Sequence, residues 1–351
     1  MEFGSDFHSI KDFTSEKGEL RMPKGNLYAL GRHALFEIIK ASGPHTLWIP
    51  SYYCMESINI LRSIDLNIEF YPTSPEENPV NSIKKLPLKR DDALLLMNFF
   101  GLWGAQSTPE VDCMIIEDHS HDLFSRWARE SKADFCFASL RKTYPIAEGG
   151  ILWSPKNNCL PEIPEDCQSH ADNAARRLHA MELKAEYLKH NSGNKSEFLK
   201  TYRETEECFD HLAPAPLNNV DKGLLNKFNA AEWLDRKKRN WNHLCEALVS
   251  SRNSLIPLRI VSNSYFHVYG YDATPFSFVI LLDSKETRDS IRKEMINQDI
   301  YPAILWSLPD SSNPQALQFS ERMISIHCDA RYNDDNITEL SVKLLNILSK
   351  E

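Results

Sequence analysis

A lysine that closes an apolar run is unusual, because its cationic side chain ordinarily ends in solvent. Lys142 comes two residues after the run Phe135–Leu140, and the turn beyond it closes on Glu148-Gly149-Gly150. Twenty-four residues earlier, Asp118 ends the run Cys113–Glu117. If both runs are buried strands, the lysine and the carboxylate stand at strand ends and can face one pocket. A lysine in such a pocket can serve as a nucleophilic amine. A carboxylate there suits a pyridine nitrogen, which it keeps protonated so that the ring draws electrons. The third element is Gly31-Arg32-His33, which leads into Ala34, Leu35, Ile38 and Ile39 at helical spacing. A helix that starts at a glycine offers free N–H groups to a phosphate. An amine for an aldehyde, an acid for a ring nitrogen and a cradle for a phosphate together describe a site for pyridoxal 5'-phosphate.

Positioning these groups takes strands and helices in alternation. Thr46–Ile49, Asn67–Tyr71, Ala93–Phe100, Cys113–Glu117, Phe135–Leu140 and Gly150–Trp153 read as strands, with a helix over Met55–Ile64. Ala93–Phe100 is continuously apolar and reads as a strand buried on both faces. This rhythm predicts an α/β fold with a mostly parallel sheet flanked by helices. Long helices are expected at Ala171–His190, Lys195–Leu212 and Lys227–Val249, the last with Ala230, Ala231, Leu234, Trp241, Leu244 and Leu248 as its apolar side. Strands at Phe276–Leu282 and Met323–His327 and helices at Lys285–Asn297 and Asn336–Leu348 make a smaller α+β region. A chain of 351 residues suits two domains, read as 1–235 and 236–351. The first twenty residues read as polar and irregular. The net charge of −9, without a basic stripe, makes nucleic acid an unexpected partner. The eight cysteines form no C-x-x-C pair and read as reduced core thiols. The absence of an N-terminal apolar segment and of any apolar run of membrane length predicts a cytoplasmic protein with no membrane partner.

Over most of its length the chain resembles the DegT/DnrJ/EryC1/StrS family of pyridoxal-phosphate enzymes, mostly sugar aminotransferases of the type I aminotransferase fold. Gly31–Leu35, GRHAL, is similar to the family's G-T-x-A-L segment, whose amides hold the cofactor phosphate. Pro50–Tyr53, PSYY, resembles the P-x-x-T/Y segment that leads to a ring-stacking aromatic; Tyr53 is preferred to Tyr52 for that place. Asn98–Gly101, NFFG, resembles H-x-Y/F-G. Asp118–His121, DHSH, resembles D-A-A-Q/H, where the aspartate meets the pyridine nitrogen and the fourth residue approaches the ring hydroxyl. Lys142–Gly150 resembles K-x-x-x-x-x-E-G-G with its spacing kept. Phe228–Arg239 and Tyr301–Pro309 resemble the family's interdomain helix and its substrate-side loop.

The resemblance implies that Lys142 holds the cofactor as a Schiff base, with Asp118, His121, Gly31, Arg32, His33, Tyr53, Ser139 and Asn98 around it. It implies transfer from an amino donor such as glutamate to a keto acceptor, a nucleotide-linked sugar, in surface-polysaccharide or secondary-metabolite biosynthesis. It also implies a homodimer in which the partner chain completes each pocket. Trp306 and Tyr301 are candidates to pack on the sugar, and Arg331 to bind a donor carboxylate. The chain departs from the family at Phe137, which stands where a phosphate-binding serine is usual and leaves Ser139 as the nearest hydroxyl. It departs again at Arg32, which replaces a small hydroxyl residue. The family's asparagine-tyrosine-arginine segment is missing near Val220–Asn229, where Asn218, Asn219 and Lys222 are the nearest substitutes. Two rivals stay open: a sugar dehydratase, against which Lys142 argues because those relatives typically carry histidine there, and a relative that binds or regulates without catalysis. The pair His119 and His121 lacks the companions a metal site needs, and no metal is expected. Glu148 reads as part of the turn and not as a general base.

Overall fold

The computed structural model describes residues 1–11, 13, 22–76, 82–104, 109–190, 193–250, 259–260, 275–310 and 312–349. In chain order come β1 (Phe3–Gly4), β2 (Asn26–Tyr28), α1 (Gly31–Ser42), β3 (Thr46–Pro50), α2 (Met55–Asn59), β4 (Asn67–Tyr71), β5 (Ala93–Met97), β6 (Met114–Asp118), α3 (Arg126–Glu130), β7 (Phe135–Ser139) and β8 (Gly150–Trp153). Seven of these strands form one sheet in the order β2-β8-β7-β6-β5-β3-β4. The five strands β4, β3, β5, β6 and β7 are mutually parallel, and β8 runs against both of its neighbours. The mostly parallel sheet expected from the alternating pattern is therefore present. The carboxyl ends of β5, β6 and β7 lie along one edge, where Met97 pairs with Asp118 and Asp118 with Phe137. That edge is where open α/β sheets carry their sites.

All five residues of β5 are buried, as a strand covered on both faces requires. It ends at Met97, three residues before the apolar run does. Asn98 turns the chain with its side chain, donating from Nδ2 to the Trp103 carbonyl at 2.8 Å and accepting from Trp103 N–H at 3.1 Å. Phe100 then takes a left-handed conformation at φ 57°, which no strand can hold. The helix expected over Met55–Ile64 is similarly shortened, with a 3₁₀ turn over Ile60–Ser63.

Beyond β8 come α4 (Gln168–His190), α5 (Lys195–Phe209), α6 (Asn219–Lys227) and α7 (Ala230–Ser250). The long helix read from Lys227 starts at Ala230. Ahead of it, α6 has its own cap, Asn218, whose side chain accepts from Asp221 N–H. The remainder comprises β9 (Arg259–Ile260), β10 (Phe278–Leu281), α8 (Lys285–Asn297), β11 (Ile300–Tyr301), α9 (Pro314–Arg322), β12 (Met323–Ile326) and α10 (Asp334–Leu348). The order β12-β10-β9 makes a small antiparallel sheet. The opening residues are not all irregular, because Phe3–Gly4 pairs in parallel with Ile300–Tyr301. One apolar core surrounds the large sheet. A second gathers Phe3 with Trp241, Leu244, Phe278, Ile280, Ile324, Ile326 and Leu344. All eight cysteines are free thiols, three of them buried.

Candidate active site

The start of α1 is fitted against the ends of β7 and β8 by two glycines. A Cβ on Gly31 would stand 2.9 Å from the Cα and N of Ser139, and one on Gly150 would stand 2.3 Å from the Leu30 carbonyl oxygen. Any larger residue would push the helix start away from the strand ends. No side chain caps α1, and its first turn holds no acidic residue. The positive end of its dipole is thus presented at the sheet edge beside Ser139.

Asp118, the last residue of β6, is buried. Its Oδ2 accepts from the Tyr53 hydroxyl at 2.6 Å and its Oδ1 from Ser120 N–H at 2.8 Å. Tyr53 thus meets the carboxylate with its hydroxyl instead of lying free as a stacking ring. Burial, and then the Asp118 charge, push its phenol well above the usual range, so it remains a donor. One turn further on, His121 accepts from Phe100 N–H through Nδ1 at 3.0 Å, and its Nε2 stands 3.4 Å from Lys142 Nζ. Burial, reinforced by Lys142 and Lys237, holds this imidazole well below its ordinary value. It is neutral, and because Nδ1 accepts, its proton sits on Nε2.

Aromatic rings close the space around these groups. His121 lies flat on Phe276, with centroids 4.2 Å apart and planes 9° apart, and also stacks on Trp306 at 5.6 Å and 16°. Trp306 reaches Tyr52 and Tyr53 at 5.5 and 6.2 Å, and Lys142 Nζ lies 5.3 Å from its ring. Lys142 opens on a cavity of about 430 Å³ that Lys237, Phe276, Tyr301 and Arg331 also line. Within it, Tyr301 accepts from Lys195 Nζ at 3.0 Å. Arg331 is held by Asp329 at 2.8 and 2.9 Å, and its charge keeps the Asp329 carboxyl below the usual carboxylate range despite burial.

Lys142, Asp118, His121, Tyr53 and Trp306 are therefore brought together, with Gly31 packed on Ser139 beside them. Three expected cofactor contacts are engaged elsewhere. Arg32 pairs with Asp210. His33 is fully buried, accepts from Ala215 N–H at 3.4 Å and meets the His170 ring edge-on. Asn98 is spent on Trp103 and on Asp122, to which it donates at 2.6 Å. Glu148 accepts twice from Asn218, through the backbone N–H at 3.0 Å and Nδ2 at 2.7 Å. Asn218 is thereby committed within its own chain. His119 does not share a ligand with His121. It is clamped between Glu117 at 3.0 Å and Asp122 at 2.9 Å. Burial would depress it, but those carboxylates hold it well above its ordinary value, as a core imidazolium. Glu117, His119 and Cys136, all buried, each place one potential ligand atom within 4.8 Å of the others. Phe276 and Lys237 join the site without standing in any of its cofactor motifs; Lys237 is still legible in the sequence, because 230, 234, 237, 241, 244 and 248 form one helical stripe that a lysine interrupts.

No protein-family model matches the chain, and no curated protein does. Solved structures do match. Spr1654 from Streptococcus pneumoniae, assigned as a sugar aminotransferase and solved in its PLP form, superposes with a TM-score of 0.64 at 12% identity, covering 100% of this chain and 99% of its own. This chain has the type I aminotransferase fold. DesI, solved in the presence of its TDP-sugar product, shares that aminotransferase fold at a TM-score of 0.59 and 16% identity, over 94% of this chain and 81% of its own. A DegT DnrJ EryC1 StrS aminotransferase from Brucella abortus does so at 0.56 and 13%, over 93% and 86%.

Within the aminotransferase fold, the donor set here fits pyridoxal phosphate. An uncapped helix start, a buried carboxylate and an amine converge at one sheet edge, and the Gly31 contact with Ser139 leaves no room for a side chain between them.

Proposed function

We propose that the chain is a pyridoxal-phosphate-dependent aminotransferase that moves an amino group from an amino donor to a keto sugar. It works as a homodimer, each chain comprising a large domain over 1–235 and a small one over 236–351. The observation that carries this reading is the placement of Asp118 as the last residue of β6 and of Lys142 at the end of the 3₁₀ turn that follows the adjacent strand β7, beside an uncapped helix start. The DesI structure with its TDP-sugar product supports a nucleotide-linked acceptor.

Bound at that edge, the cofactor supplies an electron sink that makes the substrate's amino-bearing carbon acidic. The chain's own residues do the rest. The α1 amides and Ser139 receive the phosphate. Asp118 holds the proton on the ring nitrogen, and Tyr53 and Ser120 fix that carboxylate in place. Lys142 Nζ is the attachment point and, once released, carries the proton between carbons. His121 offers Nε2–H to the ring hydroxyl. Trp306 and Phe276 exclude water and so strengthen each of these charges.

Absorbance tests the reading. Protein incubated with pyridoxal phosphate turns yellow, glutamate bleaches it to the pyridoxamine form, and Lys142→Ala abolishes both changes. A protein that stays colourless under these conditions refutes the assignment and favours a binding role.

A further inference from the structure

The cavity beside Lys142 carries more positive charge than its own acids neutralise. Five cationic side chains line it, Arg141, Lys142, Arg177, Lys237 and Arg331, against the carboxylates of Asp6 and Asp329. The three arginines are engaged. Arg141 makes two 2.8 Å bonds to Glu206, Arg177 reaches Asp6 and Glu206 at 3.0 Å each, and Arg331 is bound by Asp329. Lys142 faces His121. Lys237 differs from all of these. It is only 6% exposed, and among the described residues it makes no hydrogen bond and has no carboxylate at ion-pair distance. Its one direct neighbour of note is the Phe276 ring, 5.2 Å from Nζ to the centroid.

An ammonium withdrawn from water without a counter-ion is costly. Burial accordingly pushes the Lys237 amine below the ordinary lysine range, and Cys328 and the more distant Asp329 carboxylate offset this only in part. The cost is offset when an anion enters the cavity. The route is laid out along one wall, where Lys142 touches His121, His121 stacks on Phe276, and Phe276 carries Lys237. A small molecule lying along this wall would have its reacting carbon at one lysine and an acidic group at the other. The cavity volume, about 430 Å³, is near the low end for small-molecule sites and suits a compact acid.

We propose that Lys237 receives the carboxylate of the substrate whose amino or keto group reacts at Lys142, and so sets this site's preference for an acidic partner. The inference rests on the aminotransferase reading. The carboxylate could belong to an amino-acid donor or to a uronic-acid acceptor, and the ligands of the test separate these sources.

The test is calorimetric titration of the full chain, free of cofactor and loaded with it, using L-glutamate, D-glucuronate and their methyl esters. Lys237→Met should weaken the acid that binds by about 10- to 100-fold, the loss expected for one charge-assisted bond, and leave the ester unchanged. Lys237→Arg should retain most of the affinity. Glutamate as the responsive acid identifies the donor, and glucuronate the acceptor. Because K237M removes an unpaired buried charge, it should also melt at a higher temperature than wild type without ligand. Wild type binding neither acid overturns the proposal. So does K237M binding both as wild type does, or K237M melting lower or failing to fold, since the lysine would then have a structural partner. A chain that stays colourless with pyridoxal phosphate, yet binds glutamate through Lys237, sinks the aminotransferase reading alone. A yellow chain whose K237M variant binds unchanged sinks this one alone.

Discussion

Alanine at two glycines should have opposite effects. Alanine is favoured over glycine inside a helix by about 1 kcal/mol. Around Gly223, in α6, an added Cβ meets nothing within 4 Å. Gly223→Ala should therefore stabilise the protein by roughly 0.5–1 kcal/mol. At Gly31 the same methyl would stand 2.9 Å from the Ser139 Cα and N and 3.0 Å from its Cβ. Ser139 cannot retreat, because its N–H donates to Ser120 Oγ at 2.9 Å and it pairs with Gly150 across β7 and β8. Forcing extra volume into such a contact costs about 1–3 kcal/mol, more than the propensity gain. A net loss of up to about 2 kcal/mol follows for Gly31→Ala. The assay is urea unfolding of both variants, compared at equal m-values. Affinity for pyridoxal phosphate should fall in G31A and not in G223A, because only the first displaces the α1 amides. If G31A gained stability as G223A does, the close approach of α1 to β7 would be wrong. If it lost stability but kept full cofactor affinity, the helix start would be a packing contact and not a cradle.

Tyr53→Phe removes a 2.6 Å bond to a buried carboxylate without opening a cavity; the expected loss is about 1.5–3 kcal/mol in a urea melt, and no loss would mean that the hydroxyl does not hold Asp118. Asp221 accepts from Ala147 N–H at 3.1 Å, Glu148 N–H at 3.3 Å and Asn218 Nδ2 at 2.6 Å, so Asp221→Asn turns an NH2 toward donors and should cost about 1–3 kcal/mol by the same assay. Burial, and then the neighbouring His170 and Arg32, lower the His33 pKa from 6.5 to about 3, so its folded form resists protonation. Stability present above pH 6.5 is lost as the pH falls; by pH 5 the share from His33 is about 2 kcal/mol. His33→Gln should flatten the dependence of the urea midpoint on pH between 7 and 5, and an unchanged slope would contradict the neutral buried ring.

The parts of the site that were legible lie close together in sequence or end a strand. Lys142 and Asp118 could be paired from sequence because a parallel sheet brings successive strand ends to one edge, whatever the loops do. Arg32, His33 and Asn98 could not be placed in this way. Each sits within a readable motif, but its side chain answers to Asp210, Ala215 or Asp122, and nothing in the local pattern announces partners so far along the chain. The break of β5 at Met97 was hidden for a related reason: an apolar run gives the same signal whether it continues as a strand or turns at a buried asparagine. Lys237 is the opposite case, because a lysine that interrupts the apolar stripe of α7 is visible in the sequence, although the cavity it lines is not.

The pairing of Phe3–Gly4 with Ile300–Tyr301 has a consequence in time. Strand β1 finds its partner 297 residues later, which at 5–20 residues per second is a wait of about 15–60 s on the ribosome. Phe3, fully buried in the finished second core, spends that interval exposed while the large sheet is already able to form. The second core thus cannot take up Phe3 until β11 is made, so its closure waits on a segment that the large sheet does not need.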